Sequence, residues 1–500
     1  MIKVGNNVVK HINNFWNSCI FHPTDAVEDP WGRRILDRMA KDRSIHTVRI
    51  YAMFEDIAYL DENGNVAYDF RLSDLRLDYL VEKGFNILIA YGMMPEILTS
   101  DKSELSSVSK NKTRYKGKML YTAKPKDYKL WEELCYEYTK HIVERYGEET
   151  VSKWYLHCYN EPDIGMFFMK NVKTECYEER VKEYFKLYEG FVSGILRVTD
   201  KLFIGGPALA HNLDFLDSFL KKVKENNLRL DYISVHNYAG SGPHNLKEKG
   251  LCTDYWITKH NEYMSVLRSN GMENIPLVYD EWGMASHGFY NIEECPSFIA
   301  RETEVFSSYY VKLIHELIKG NTSISLLMLC LSGQHEMVTD FSGFRNFFTL
   351  NFFAKPIYNA FVLASKLKNE LLNAEYQNNK LFVIPTKNEN DEYSVLLTYS
   401  SPRFEEILPE ITEELMIENL SENQTVTVYC IDKTHTNPYR LYEKNGFTPD
   451  LTDEQIKMLR DEGNIKPVAS FSSDEKIKLD LIANSVYLVT TERKKLNDFI

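Results

Sequence analysis

Two segments of the chain end an apolar run in a carboxylic acid. KWYLHCYNEPD (153–163) leads to Asn160-Glu161-Pro162, and IPLVYDEWG (275–283) leads to Asp280, Glu281, Trp282 and Gly283. Proline cannot donate to a strand ladder, so Glu161 is expected where a strand gives way to a loop. An unpaired charge is costly to bury, so each acid needs a reason to stand there. One account is a structural salt bridge, with Arg49 in HTVRIYAM (46–53) as the available cation. The other is chemistry. Two acids, with Asn160, His236 and Tyr238 at strand ends, suit cleavage of a glycosidic bond: one carboxyl protonates the leaving oxygen while the other, ionised, attacks or activates water. Mutual repulsion of two close carboxylates raises one of them and keeps it protonated near neutral pH.

The elements that must position these residues are legible as apolar runs. Strands are expected at 15–21, 46–51, 85–91, 153–159, 202–206, 231–238, 275–281 and 323–329, mostly unbroken apolar stretches of the kind a parallel sheet buried on both faces requires. Helical stripes lie between them, such as Trp131, Leu134, Cys135, Tyr138 and Ile142, or Val305, Tyr309, Leu313 and Leu317. Eight strand–helix units imply an α/β architecture, a (β/α)8 barrel of the TIM type, over 11–362. An open doubly wound sheet is the rival, but neither GxGxxG nor GxxxxGK[ST] occurs. The long polar stretch 92–126 follows the third strand and is expected to shape the pocket.

After residue 363 the pattern changes to alternating strands, at 381–387, 393–399, 425–431, 476–482 and 485–491. They predict an accessory antiparallel β-sandwich over 363–500 that braces the barrel, to which residues 1–10 add a strand. TPDLTDEQIKMLRDEG (448–463) reads as a helical insertion, with Thr452 and Gln455 forming a capping box.

The 500 residues carry 59 Lys and Arg against 72 Asp and Glu, a formal charge of −13, with the basic residues scattered. Nucleic-acid and anionic-membrane partners, which need concentrated positive charge, are therefore not expected. No signal peptide, no membrane span and no CxxC is visible, so the eight cysteines are expected to be reduced and the protein cytoplasmic. Neither a metal site nor a cofactor is expected, since HExxH and GxSxG are also absent. A homo-oligomer is compatible with the sequence.

The ordered motifs resemble glycoside hydrolase family 39, the β-xylosidase and α-L-iduronidase group. YNEPDIGMFF (159–168) is similar to the family's acid/base segment, which carries an aromatic pair after Asn-Glu-Pro. SVHNYAG (234–240) is similar to its sixth-strand His-x-Tyr, and LVYDEWG (277–283) to its nucleophile strand. FSGFRNFFTLNFFAKPIYNAF (341–361) matches the run after strand eight, and YCIDKTHTNPYRLYEKNGFTP (429–449) a sandwich segment. The resemblance implies a retaining exo-glycosidase acting on a β-xyloside or α-L-arabinoside of plant-type oligosaccharides. Glu161 is then the general acid/base and Glu281 the nucleophile. It further implies that Asn160 holds the sugar 2-hydroxyl, Tyr238 and Arg49 orient Glu281, and His236 contacts the sugar, with Tyr51, Phe168, Trp282 and Glu336 as further substrate contacts.

Two departures bear on specificity. Tyr51 stands where family xylosidases carry a sugar-contacting His, and Leu327 where they carry a stacking Trp, so an aromatic platform is expected to be lost. Asp280 also replaces the family's usual Thr. A second acid there disfavours ionisation of its neighbour unless strand alternation turns it out of the barrel. The alternatives are a glycosidase of other specificity (β-galactoside, β-glucoside or uronide) and an inactive carbohydrate-binding barrel.

Overall fold

The computed structural model describes residues 1–22, 27–107, 119–240, 251–286, 291–320, 323–332, 337, 339–401, 404, 406–421 and 424–493. The first strand, β1 (Ile2–His11), belongs to a sheet completed by residues after 370. The chain then enters a barrel with β2 (Ser18–His22) and β3 (Thr47–Tyr51). A hairpin of β4 (Ala58–Leu60) and β5 (Val66–Tyr68) intervenes. The barrel continues with β6 (Asn86–Tyr91), β7 (Tyr155–Cys158), β8 (Phe203–Leu209), β9 (Tyr232–Tyr238), β10 (Leu277–Gly283) and β11 (Ile324–Ser332). These eight strands are parallel and close in the order β10-β11-β2-β3-β6-β7-β8-β9. Helices cover the outside, among them Tyr128–Tyr146, Tyr177–Leu196 and Glu304–Lys319.

The lower interior of the barrel is apolar. Leu88, Tyr232, Val278, Leu326 and Met328 meet there in one buried cluster. Gly205 on β8 makes room for it, because a Cβ at that position would lie 2.5 Å from the Tyr232 ring. Dense packing below leaves the carboxyl ends of the strands as the place where polar side chains converge.

The second sheet has nine strands: β1, β12 (Glu370–Glu375), β13 (Leu381–Lys387), β14 (Tyr393–Tyr399), β15 (Ile411–Ile417), β16 (Gln424–Ile431), β17 (Pro467–Ser472), β18 (Ile477–Leu481) and β19 (Ser485–Arg493). Val426, Val428 and Cys430 of β16 share one buried core with Ile477, Leu479 and Leu481 of β18, as strands with one solvated face require. The expected all-antiparallel pairing is corrected at one place: β1 pairs with β15 in parallel. The whole barrel separates these two strands in sequence, so no hairpin constrains their relative direction. The insertion holds the helix Asp453–Glu462, with both bonds of the Thr452–Gln455 capping box formed, and a further helix, Pro438–Lys444, precedes it.

The helix Glu304–Lys319 joins the two parts. Its Ser308 hydroxyl lies 2.7 Å from that of Thr398 on β14. The buried Glu304 carboxylate accepts hydrogen bonds from Arg440 at 2.9 and 3.1 Å and from Asn437 at 2.9 Å. Among the described residues, no helix is long and apolar enough to cross a membrane.

Candidate active site

β7 ends at Cys158, and the chain leaves the sheet through two residues in the left-handed region, Tyr159 (φ 67°) and Glu161 (φ 44°). A non-glycine residue there costs about 1–3 kcal/mol and persists only where its surroundings fix it. Here the Tyr159 amide donates to Tyr91 O at 2.8 Å, and the Glu161 amide to Ala208 O at 2.9 Å. Asp163 ties the loop to the end of β8, its carboxylate accepting the amides of Ala210, His211 and Asn212 at 2.8–2.9 Å. The stretch after β6 packs against this loop, with the Met169 amide 2.6 Å from Thr122 O and Lys170 Nζ donating to Leu105 O at 2.7 Å. Residues 108–118 of that stretch lie outside the described residues.

β10 presents its acids differently. Tyr279 pairs with Val235 of β9 and Glu281 with His236, so Asp280 is an inserted residue without a counterpart. Toward β11 the register also slips, from Tyr279↔Leu327 to Trp282↔Leu329. Such a β-bulge breaks the two-residue alternation of side chains, and consecutive acids both turn inward. The alternation by which Asp280 would point out of the barrel is therefore broken.

Glu161, His236 and Glu281 each contribute a side-chain atom to a group within which all separations are at most 4.8 Å. His236 Nδ1 is 2.7 Å from Glu161 Oε1 and 3.7 Å from Glu281 Oε2, and its Nε2 is 3.3 Å from Asp280 Oδ2. Tyr238 donates its hydroxyl to Glu281 Oε2 at 2.7 Å. Arg49 Nη1 donates to Glu281 Oε1 at 2.8 Å, and its Nη2 to Asn160 Oδ1 at 2.6 Å and Asp280 Oδ2 at 3.2 Å. Tyr51 donates to Glu281 Oε1 at 3.4 Å.

The electrostatics reflect burial and these contacts. Burial raises the Glu161 carboxyl, the His236 contact opposes this, and the Glu281 charge adds to the rise. For Asp280 burial also acts upward, but Arg49 and His236 outweigh it and hold the acid below its ordinary value. His236 is lifted well above the usual imidazole range against its own burial, by the Glu281 and Asp280 charges and by hydrogen bonds to Asp280 and Glu161. Neighbouring His157 is pushed down to about 3 by burial and stays neutral. Anionic groups thus meet the Arg49 guanidinium and the His236 ring, the partners a buried ionic cluster needs. Side-chain exposure separates the acids: 14% for Glu161, 9% for Glu281 and zero for Asp280.

Of the residues singled out in the sequence, Glu161, Glu281, Asn160, His236, Tyr238, Arg49 and Tyr51 converge here. His236 is buried with its two ring nitrogens facing Glu161 and Asp280, which leaves it little surface for a sugar. Two expected substrate contacts are corrected. Trp282 is fully buried and stacks on Tyr310 at 5.9 Å, on the helix side of β10, because the bulge that turns Glu281 inward turns its successor outward. Phe168 is fully buried edge-on to Tyr159 at 5.5 Å and supports the loop from behind. Leu327 likewise packs in the outer core and offers no platform. Glu336 lies outside the described residues.

Two neighbours were missed, His157 and Arg345, whose Nη1 is 3.5 Å from the Tyr238 hydroxyl, while Asp280, whose facing the sequence left open, turns inward. A histidine inside the apolar run of β7 was the available signal. A second trio of metal-type donors, Cys430, Asp432 and His435, also lies within 4.8 Å. There the Asp432 carboxylate closes a turn by accepting the Thr434 and His435 amides.

A family model described as "Glycosyl hydrolases family 39" matches residues 1–478. The chain belongs to this family. It is 26% identical to a beta-xylosidase of Caldicellulosiruptor saccharolyticus, over 95% of this chain and 92% of that protein. To a beta-xylosidase of Geobacillus stearothermophilus it is 23% identical, over 76% and 71% respectively. Among solved structures it is similar in fold to a monomeric beta-xylosidase from Caulobacter crescentus CB15, with TM-score 0.82, 17% identity and 99% of both chains covered. This family 39 member is a glycoside hydrolase, and its architecture is a TIM barrel with a β-sandwich.

Proposed function

We propose that this glycoside hydrolase removes terminal β-xylosyl or α-L-arabinosyl units from plant-type oligosaccharides with retention of configuration. The observation that carries this reading is the approach of Glu161 and Glu281 side-chain oxygens to within 4.8 Å. Retaining enzymes hold their carboxyl groups about 5–5.5 Å apart, whereas inverting ones leave about 6.5–9.5 Å for a water. The sugar class rests on the likeness to the two beta-xylosidases.

In this mechanism Glu281 attacks the anomeric carbon while Glu161 gives its proton to the leaving oxygen. Arg49, Tyr51 and Tyr238 surround the Glu281 carboxylate and aim it. Glu161 then takes a proton from the water that releases the sugar. As a proton donor it works only below its own pKa, so a raised value keeps it competent to higher pH, and activity falls as pH rises through that value. Asn160, fixed by Arg49, lies beside Glu161 and is the candidate holder of the sugar 2-hydroxyl.

A panel of aryl β-xyloside, α-L-arabinoside, β-galactoside, β-glucoside and β-glucuronide substrates tests the sugar class, with NMR of the first-formed anomer testing stereochemistry. The pentosides are expected to be cleaved fastest, with retention. Preference for a hexoside or uronide would replace the substrate assignment. An inverted product would overturn the mechanism.

A further inference from the structure

Asp280 takes no part in double displacement, yet its side chain is the most deeply buried acid of the cluster. No substrate atom can reach a group with zero exposure, so any influence passes through its neighbours. Those facing it are Arg49 from β3, His157 from β7, Tyr232 and His236 from β9, and Glu281 beside it on β10, with Glu161 beyond His236. Asp280 Oδ2 lies 3.2 Å from Arg49 Nη2, 3.3 Å from His236 Nε2 and 3.6 Å from His157 Nδ1. Its Oδ1 has no hydrogen-bond partner among the described residues.

With Glu161 as the acid/base proposed above, we infer that Asp280 is a positioning residue that keeps the His236 ring doubly protonated, with Nε2–H facing Asp280, so that Nδ1–H can donate to Glu161 whenever Glu161 is ionised. An imidazole carries two ring nitrogens, and the partner of one decides what the other can do. Opposite an acceptor-only carboxylate, Nε2 keeps its hydrogen. When Glu161 has passed its proton to the leaving oxygen, the new carboxylate faces Nδ1–H at 2.7 Å. The proton that completes the cycle comes from the attacking water, so His236 and Asp280 end as they began. Neutral His157 does not compete as a cation, and Arg49 keeps Asp280 ionised. The bulge at Asp280 acquires a purpose: it seats this acid beneath His236 while leaving Glu281 at the mouth.

The test is NMR of the full chain with histidine ring carbons labelled, His236 being assigned by its absence in His236→Gln. In the wild type, His236 is expected to remain cationic at pH values where a free imidazole is neutral. In Asp280→Asn its titration should fall by more than one pH unit. The alkaline limb of kcat/KM should then move up in pH, because ionised Glu161 has lost its cationic donor. The kcat on an aryl glycoside should fall about tenfold, with KM changed less than twofold. A His236 that is neutral at pH 7 in the wild type would overturn the inference whether or not the variant folds, as would unchanged titration and pH limbs in Asp280→Asn. The NMR needs no substrate, so failure of the glycosidase reading leaves it standing, and its own failure leaves that reading intact.

Discussion

The fourth and seventh barrel strands each deliver one glutamate to the same small volume, by opposite means. β7 gives up its hydrogen-bonded ladder before the acid arrives, so Glu161 sits on strained backbone clamped by Ala208 O and the Asp163 turn. β10 keeps its ladder and inserts one residue, so Glu281 is presented by a rigid strand, with Asp280 tucked below it. The difference suits the two tasks proposed for them. The proposed proton donor, Glu161, must change charge state twice, and it sits partly exposed beside the His236 ring. The proposed nucleophile must be aimed, and Glu281 is gripped by Arg49, Tyr51 and Tyr238.

The contrast can be broken from either side. The largest effect is expected at the rigid end: Glu281→Ala should lower turnover on the order of 10^4-fold or more on every substrate, since it removes the carboxylate proposed to form the covalent bond. Steady-state assays beside thermal melts, which should show a folded protein, check this. At the strained end, Glu161→Ala should cost roughly 10^2–10^4-fold on substrates with poor leaving groups, and much less on activated aryl glycosides, where azide should restore part of the rate. The alkaline limb of the pH profile, which burial of Glu161 displaces upward, should vanish with it.

Tyr238→Phe removes one donor to a charged carboxylate, a loss of about 1.5–3 kcal/mol, or roughly tenfold to a hundredfold. The fall should lie mainly in kcat. The smallest effect on turnover is expected on the outer face of β10. Trp282→Phe should change stability by about 1–2 kcal/mol, read from denaturant midpoints, while leaving kcat and KM near wild type. A large kinetic change there would mean that the indole faces substrate after all.

The same two strand ends mark how far sequence reasoning reached. All eight barrel strands were legible to within three residues at either end, because parallel strands buried on both faces are continuous apolar runs. The capping box at Thr452 was equally plain, being a local signature. β12, β15 and β17 escaped, since they are partly or largely exposed, and the first two carry charges that mask alternation. Glu161 and Glu281 were singled out by type and setting, and the structure brings them together. The facing of Asp280 and Trp282 was not legible, because a bulge is set by pairing with β9 and β11, and one inserted residue reverses every face beyond it. Phe168 was misjudged for a related reason: closeness to Glu161 in the chain carries no information about which side of the loop a ring occupies.

The central claim is that Glu161 and Glu281 act as a double-displacement pair. Its most direct test is trapping with an activated 2-deoxy-2-fluoro-xyloside, followed by peptide mass spectrometry. One sugar bound per chain on the peptide carrying Glu281, with loss of activity to match, is the predicted result. An enzyme that turns over its natural glycoside yet yields no adduct, or carries the label on another residue, would contradict it.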